Sequence, residues 1–248
     1  MPDENTLIFK ILAALTIFAI GMGGAATSRS LRASEALGWL ALANCFAGGI
    51  FIGAGLIHTL ADSAGLFTSL LPDLDFPLWA AIAAFSVAVL LWIDQSLSSS
   101  ESGSGGVRGF TLFIVLSLHS LLAGAALGLE PHPMQAIAIL LAILAHKGSA
   151  SFALGLQTNE SGYWRRMTMF SLMTPLGVIG GTMLLSVLQN QNELYFEAAF
   201  DAVAAGTFIY VAVAEILPKE MSKSQQPHKL GVSALAGLAL MAMLALYT

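Results

Sequence analysis

Residues 109–129, GFTLFIVLSLHSLLAGAALGL, form an apolar run with no Asp, Glu, Lys or Arg and with one imidazole, His119, near its middle. A helix of that length, at about 1.5 Å of rise per residue, reaches across the roughly 30 Å of a bilayer's hydrocarbon layer. The run therefore reads as a membrane helix, and His119 as a titratable group placed where such a helix has little use for one. The rest of the chain agrees. Of its 248 residues 56% are hydrophobic and 10% charged, with a mean hydropathy of +0.79. A soluble domain has about a quarter of its residues charged.

The same ruler gives eight spans, near 6–27, 38–60, 77–97, 109–129, 134–157, 168–188, 195–217 and 229–247. They form one all-α transmembrane domain over 1–248. The breaks are SRSLRASEA, LPDLDFP, SSSESGSGG, EPHP, NESGYWRR, QNQNE and PKEMSKSQQPHK, all turn or loop compositions. None is long enough to hold a second domain. The N-terminal MPDENT has no early Lys or Arg, so the first run is expected to be a helix of the mature chain rather than a cleaved signal. The single cysteine, Cys45, excludes an internal disulfide and a thiolate cluster and reads as a small core residue.

Threading eight spans puts Arg29, Arg32, Arg108, Arg165, Arg166, Lys219, Lys223 and Lys229 on one side and leaves only Lys10 near the other. Short cytoplasmic loops collect Lys and Arg. The loops after spans one, three, five and seven are therefore expected in the cytoplasm, and both termini outside. The outer loops then carry Asp62, Asp73, Asp75, Glu130, Glu193 and Glu197, an acidic rim that would concentrate cations.

His119 lies about midway between Arg108 and Glu130, and His146 about midway between Pro133 and Thr158. Two imidazoles on consecutive antiparallel helices thus reach one central depth. A lone intramembrane His can be a hydrogen-bonded packing residue. A matched pair marks a site, because ionisable groups in hydrocarbon are costly and neutral imidazole is a common ligand of divalent metals. Ser120, Gly124 and Gly128 on the fourth span, and Gly148, Ser151 and Gly155 on the fifth, form stripes of small residues. Such stripes let helices approach closely and are expected to draw the two histidines together. Lys147, beside His146, cannot ligate a metal while protonated. His58 and Asp62 lie four apart on one face near the outer end of the second span, and Glu215 lies near the inner end of the seventh. With the central pair they outline a descending route for a cation.

HSLLAGAALGL (119–129) followed by LAHKGSASFALGL (144–156) resembles the paired signature of the ZIP family of divalent-metal transporters. GAGLIHTLADS, SLMTPLG and AAGTFIYVAVAEILPKE resemble that family's second, sixth and seventh helices. The resemblance implies a 3+2+3 bundle whose outer triplets are inverted repeats, with metal moving toward the cytosol through a site on the fourth and fifth helices. It makes His119 and His146 central ligands, Asp62 the outer entrance and Glu215 the inner exit. Where many relatives carry Glu four residues after the first motif histidine this chain has Ala123, and Ala150 holds the matching place after His146. Thr174 and Lys147 stand where a two-metal branch has acidic groups. The resemblance therefore implies one metal, held by two imidazoles with water and hydroxyls such as Ser120, Ser149 or Thr174. SSSESGSGG also lacks the histidines that many relatives carry in that loop.

Imidazole ligands favour Zn²⁺, with Fe²⁺, Mn²⁺, Co²⁺, Ni²⁺ and Cd²⁺ as further candidates. The metal is cargo, and no prosthetic group is expected. Expected partners are the metal ion, the bilayer of a plasma or inner membrane and a second copy in a homodimer, with no nucleic acid. Two other readings stand beside this one: a transporter of another substrate or a metal sensor without transport, and an intramembrane enzyme. Against the enzyme, the chain has no H-E-x-x-H and no G-x-S-x-G. It has no G-x-x-x-x-G-K-[ST] for a nucleotide either.

Overall fold

The computed structural model describes residues 4–33, 37–98, 104–158, 161–185 and 192–246. Its eight membrane helices are α1 (Glu4–Ala33), α2, α3 (Leu78–Ser98), α4 (Ser104–Leu129), α5 (Pro133–Gln157), α6 (Tyr163–Leu185), α7 and α8 (Pro227–Leu244). α2 is continuous through Leu37–Gly53, a π-helical turn at Ala54–Thr59 and Leu60–Leu70. α7 is built alike, from Asn192–Tyr210, a π-helical turn at Val211–Ile216 and Leu217–Lys223. Eight stretches within these helices are long and apolar enough to cross a membrane, and they coincide with the eight runs expected from sequence.

The limits differ at the ends. α2 was expected to stop near 60 and continues to Leu70, which places Asp62 inside the helix. α6 starts at Tyr163 rather than 168, and its expected end at 186–188 lies outside the described residues, as do most of SSSESGSGG (99–103) and QNQNE (189–191). A hydropathy ruler measures only the hydrocarbon layer, whereas the span Gly38–Leu70 has 33 residues. At about 1.5 Å each such a helix outreaches a 30 Å layer, so its polar ends project into the interface.

The helices pack as two groups of four. In one, α4 lies along α6 and α1 lies along α5 and α6; in the other, α2 lies along α8 and α3 along α7, with α2 and α7 also in contact. The groups meet chiefly where α4 faces α7 and α5 faces α2. Glycine governs the close seams. A Cβ on Gly124 would fall on the Thr174 backbone and one on Gly128 on that of Val178, while across α2–α8 a Cβ on Gly49 would fall on Ala234. Without hydrophobic drive between helices in lipid, this backbone proximity is the main source of association.

That packing corrects the expectation for the small-residue stripes. Gly124 and Gly128 join α4 to α6, and a Cβ on Gly24 of α1 would fall on Gly148 of α5. The Ser151 hydroxyl donates to the Gly21 carbonyl at 2.5 Å, also across α1–α5. The stripes therefore tie α4 and α5 each to another helix, and the α4–α5 hairpin itself is the looser contact.

Candidate metal centre

A cavity of about 530 Å³ enters the bundle between the two groups. Glu130, His132, Gln135, Leu194 and Glu197 line it, along with His58 and Asp62 of α2, Asp201 of α7, and Ala123, His119, Ala142 and His146. The first five lie at the α4–α5 turn and the start of α7, so the cavity opens at that end. The chain's depth count puts the two histidines at its inner limit.

There the imidazoles of His119 and His146 meet with ring centroids 5.6 Å apart and planes at 65°. Both residues are buried. Among the described residues neither His119 Nε2 nor His146 Nδ1 has a hydrogen-bond partner. Two imidazoles sharing one tetrahedral ion through Zn–N bonds of about 2.0–2.1 Å have centroids roughly 5 Å apart, so the observed spacing is near that of a shared ion. A bare buried nitrogen costs free energy unless something fills its valence, and a divalent ion can.

The rest of the centre is poor in ligands. Among the described residues no group of three His, Cys, Asp or Glu is placed to hold one ion. Ala123 and Ala142 line the cavity with the histidines, so a bound ion would complete its shell with water. Ser120 is engaged elsewhere, since Lys147 Nζ donates to its hydroxyl at 3.0 Å and to the Phe170 carbonyl at 3.3 Å. The same ammonium lies 3.8 Å from the centre of the Phe170 ring. Thr174 is buried on α6 against Gly124, its hydroxyl without a partner among the described residues. Neither Ser120, Thr174 nor Lys147 lines the cavity. Ser149 lines a separate recess with Gly24 and Phe46.

A stacked pair of phenylalanines packs against the imidazoles. Phe208 is fully buried, its ring centroid 3.7 Å from that of His119 and 4.8 Å from that of His146. Behind it Phe51 stacks at 5.3 Å and 15°. The remaining expected positions flank this core. On the cavity side His58 Nδ1 lies 3.2 Å from Asp62 Oδ2. Away from the cavity the Glu215 carboxylate is buried, receives the Tyr210 hydroxyl at 3.3 Å and pairs with Lys219.

The ZIP zinc transporter family model matches residues 94–245, well over half of the chain. The chain belongs to the ZIP family. Among similar proteins are the zinc transporter ZIP1 of Danio rerio, 30% identical across 83% of this chain and 84% of that protein, and the zinc transporter ZIP1 of Bos taurus, 29% identical across 82% and 76%. The zinc transporter ZIP2 of Homo sapiens is 36% identical over a shorter 148 residues, 58% of this chain and 48% of that one.

In this ZIP protein the acidic rim expected from sequence divides. Asp62, Glu130 and Glu197 line the cavity, whereas Asp75 lines a recess at the α2–α3 turn and the Glu193 side chain lies outside the described ones. Sequence reasoning missed four groups. Asp201, a carboxylate inside the seventh span, carried the signal of any intramembrane acid. His132 lay in the EPHP turn and drew notice only as loop. Thr207 and Phe208 carried no signal, because an apolar helix tolerates both anywhere. Lys10, expected at the outer surface, is instead buried and donates to the Gly128 carbonyl at 2.6 Å.

Proposed function

We propose that the protein carries divalent transition-metal ions, zinc foremost, from outside the cell toward the cytosol, binding each ion through His119 and His146. The observation that carries this reading is the pair of buried imidazoles, 5.6 Å apart and each with a bare nitrogen, at the depth where the acid-lined cavity ends. Carboxylates at the mouth raise the local cation concentration. His58 and Asp62 receive the ion there, the imidazole pair takes it with water, and Glu215 receives it on the inner side. Ser120 and Thr174, which lie off the cavity, are not counted among the ligands.

A centre with two neutral ligands and no carboxylate binds weakly, which suits transport, since an ion must leave as well as arrive. No step calls for bond making, so the protein acts as a transporter and not as an enzyme. The Lys and Arg distribution supports outer termini. The decisive experiment is Zn²⁺ uptake into vesicles containing the native chain or the His119→Ala/His146→Ala form. Loss of saturable uptake in the double variant is the expected result. Unchanged uptake would assign the imidazoles to packing.

A further inference from the structure

The two π-helical turns share a register. Set side by side, FIGAGLIHTLAD (51–62) and FIYVAVAEILPK (208–219) match Phe51 with Phe208 and Leu60 with Leu217, each phenylalanine three residues ahead of its turn. The same register matches His58 with Glu215 and Asp62 with Lys219. Each turn therefore ends in an i,i+4 pair of a nitrogen base and a carboxylate, and their order is reversed between the two. π-turns concentrate at functional positions, and here each presents its pair on one side of the stacked phenylalanines.

The pairs differ in what they allow a metal to do. At the outer pair Asp62 is half exposed and lines the cavity, and an imidazole nitrogen and a carboxylate oxygen are both metal-ligand types. At the inner pair Glu215 is 3% exposed, one oxygen takes the Tyr210 hydroxyl, and the other is held by the Lys219 ammonium. An ammonium cannot ligate. A divalent ion approaching Glu215 therefore meets the Lys219 ammonium on the same carboxylate and competes with it for that charge, and the Lys219 side chain, 28% exposed, has solvent to move into.

We propose that Lys219 is a tethered competitor for the exiting ion: its ammonium holds the Glu215 carboxylate, gives way as the ion arrives and, by returning, drives the ion off. This rests on the reading of Glu215 as the inner exit. The role sets affinity at the inner end, and with it the rate of release and the resistance of uptake to metal already inside.

The test is Zn²⁺ uptake by the full chain in proteoliposomes, with Zn²⁺ preloaded at graded concentrations on the inner side. Lys219→Gln keeps a hydrogen-bond donor for the buried carboxylate but removes the charge. Inner Zn²⁺ should then inhibit uptake at a roughly five- to tenfold lower concentration, the scale of a partly exposed charge pair. Lys219→Arg, with its bidentate hold on a carboxylate, should move inhibition to a higher concentration. It tests the idea independently should Lys219→Gln fail to fold. Native inhibition in both variants, while Glu215→Gln alters it, overturns the competitor role and leaves Glu215 as an exit ligand. Native uptake and native inhibition in Glu215→Gln overturn the exit reading itself.

Discussion

The Thr207 hydroxyl donates to the Ala204 carbonyl at 2.7 Å and turns its oxygen toward His119 Nδ1 at 3.3 Å. With the hydroxyl proton committed, the oxygen can only accept, which assigns the proton to His119 Nδ1 and leaves Nε2 with a bare lone pair. This is the arrangement by which outer-shell partners orient a metal-binding imidazole. Thr207→Val keeps the shape and removes the acceptor, and is expected to weaken Zn²⁺ binding about tenfold. Thr207→Ser should restore it. Calorimetric titration of the purified variants decides the matter, and equal affinity in the valine form would separate Thr207 from metal binding.

Ala123 lines the cavity one helical turn beyond His119. Ala123→Glu therefore adds an anion beside the imidazole pair and should tighten Zn²⁺ binding by about tenfold, or 1.4 kcal/mol. Uptake should saturate at lower metal concentration with a reduced maximal rate, because release slows. If titration finds no gain in affinity, with uptake also as in the native chain, neither histidine is a first ligand.

Phe208 stands between the imidazoles and Phe51. Its removal in Phe208→Ala should cost about 3–5 kcal/mol of stability and turn saturable Zn²⁺ flux into a leak across the bundle. Phe208→Leu should lose less on both counts. Thermal unfolding in detergent and uptake measured over a wide metal range are the two readouts, and flux that stays saturable in the alanine form would mean the ring is no barrier.

The only native thiol, Cys45, is fully buried, so introduced cysteines can be labelled against a quiet background. Ser224→Cys, after α7, should react with an impermeant reagent from the cytoplasmic side alone, and Asp75→Cys, in the α2–α3 turn, from outside alone. The opposite pattern would turn the molecule over in the membrane and reverse the direction proposed for transport.

The membrane spans were legible because hydropathy over some twenty residues is set by the bilayer and not by neighbours. The facing histidines were legible because a fixed rise per residue converts position into depth. Partner choice was not: the spacing of Gly124 and Gly128 says that something comes close, and only the packed helices say that it is α6. The π-turns at Ala54–Thr59 and Val211–Ile216 were equally hidden, since an extra residue per turn is fixed by tertiary packing and leaves no composition of its own. The Glu215–Lys219 pair lay open in the sequence as an i,i+4 match. Its meaning emerged only when α2 and α7 could be laid in register.

Lys10 and Gly128 are 118 residues apart in the chain, yet the ammonium of one is held by the carbonyl of the other. During synthesis α1 enters the bilayer long before α4 exists. Through that interval its amine depends on water and headgroups, reached by bending its long stem toward the surface, since a charged group inside the hydrocarbon layer is costly. The finished bond also satisfies a carbonyl in the last turn of α4, one of those that a helix end leaves open. Lys10 thus gains its buried partner only after α4 has been made, so the packing of α1 is completed from further along the chain.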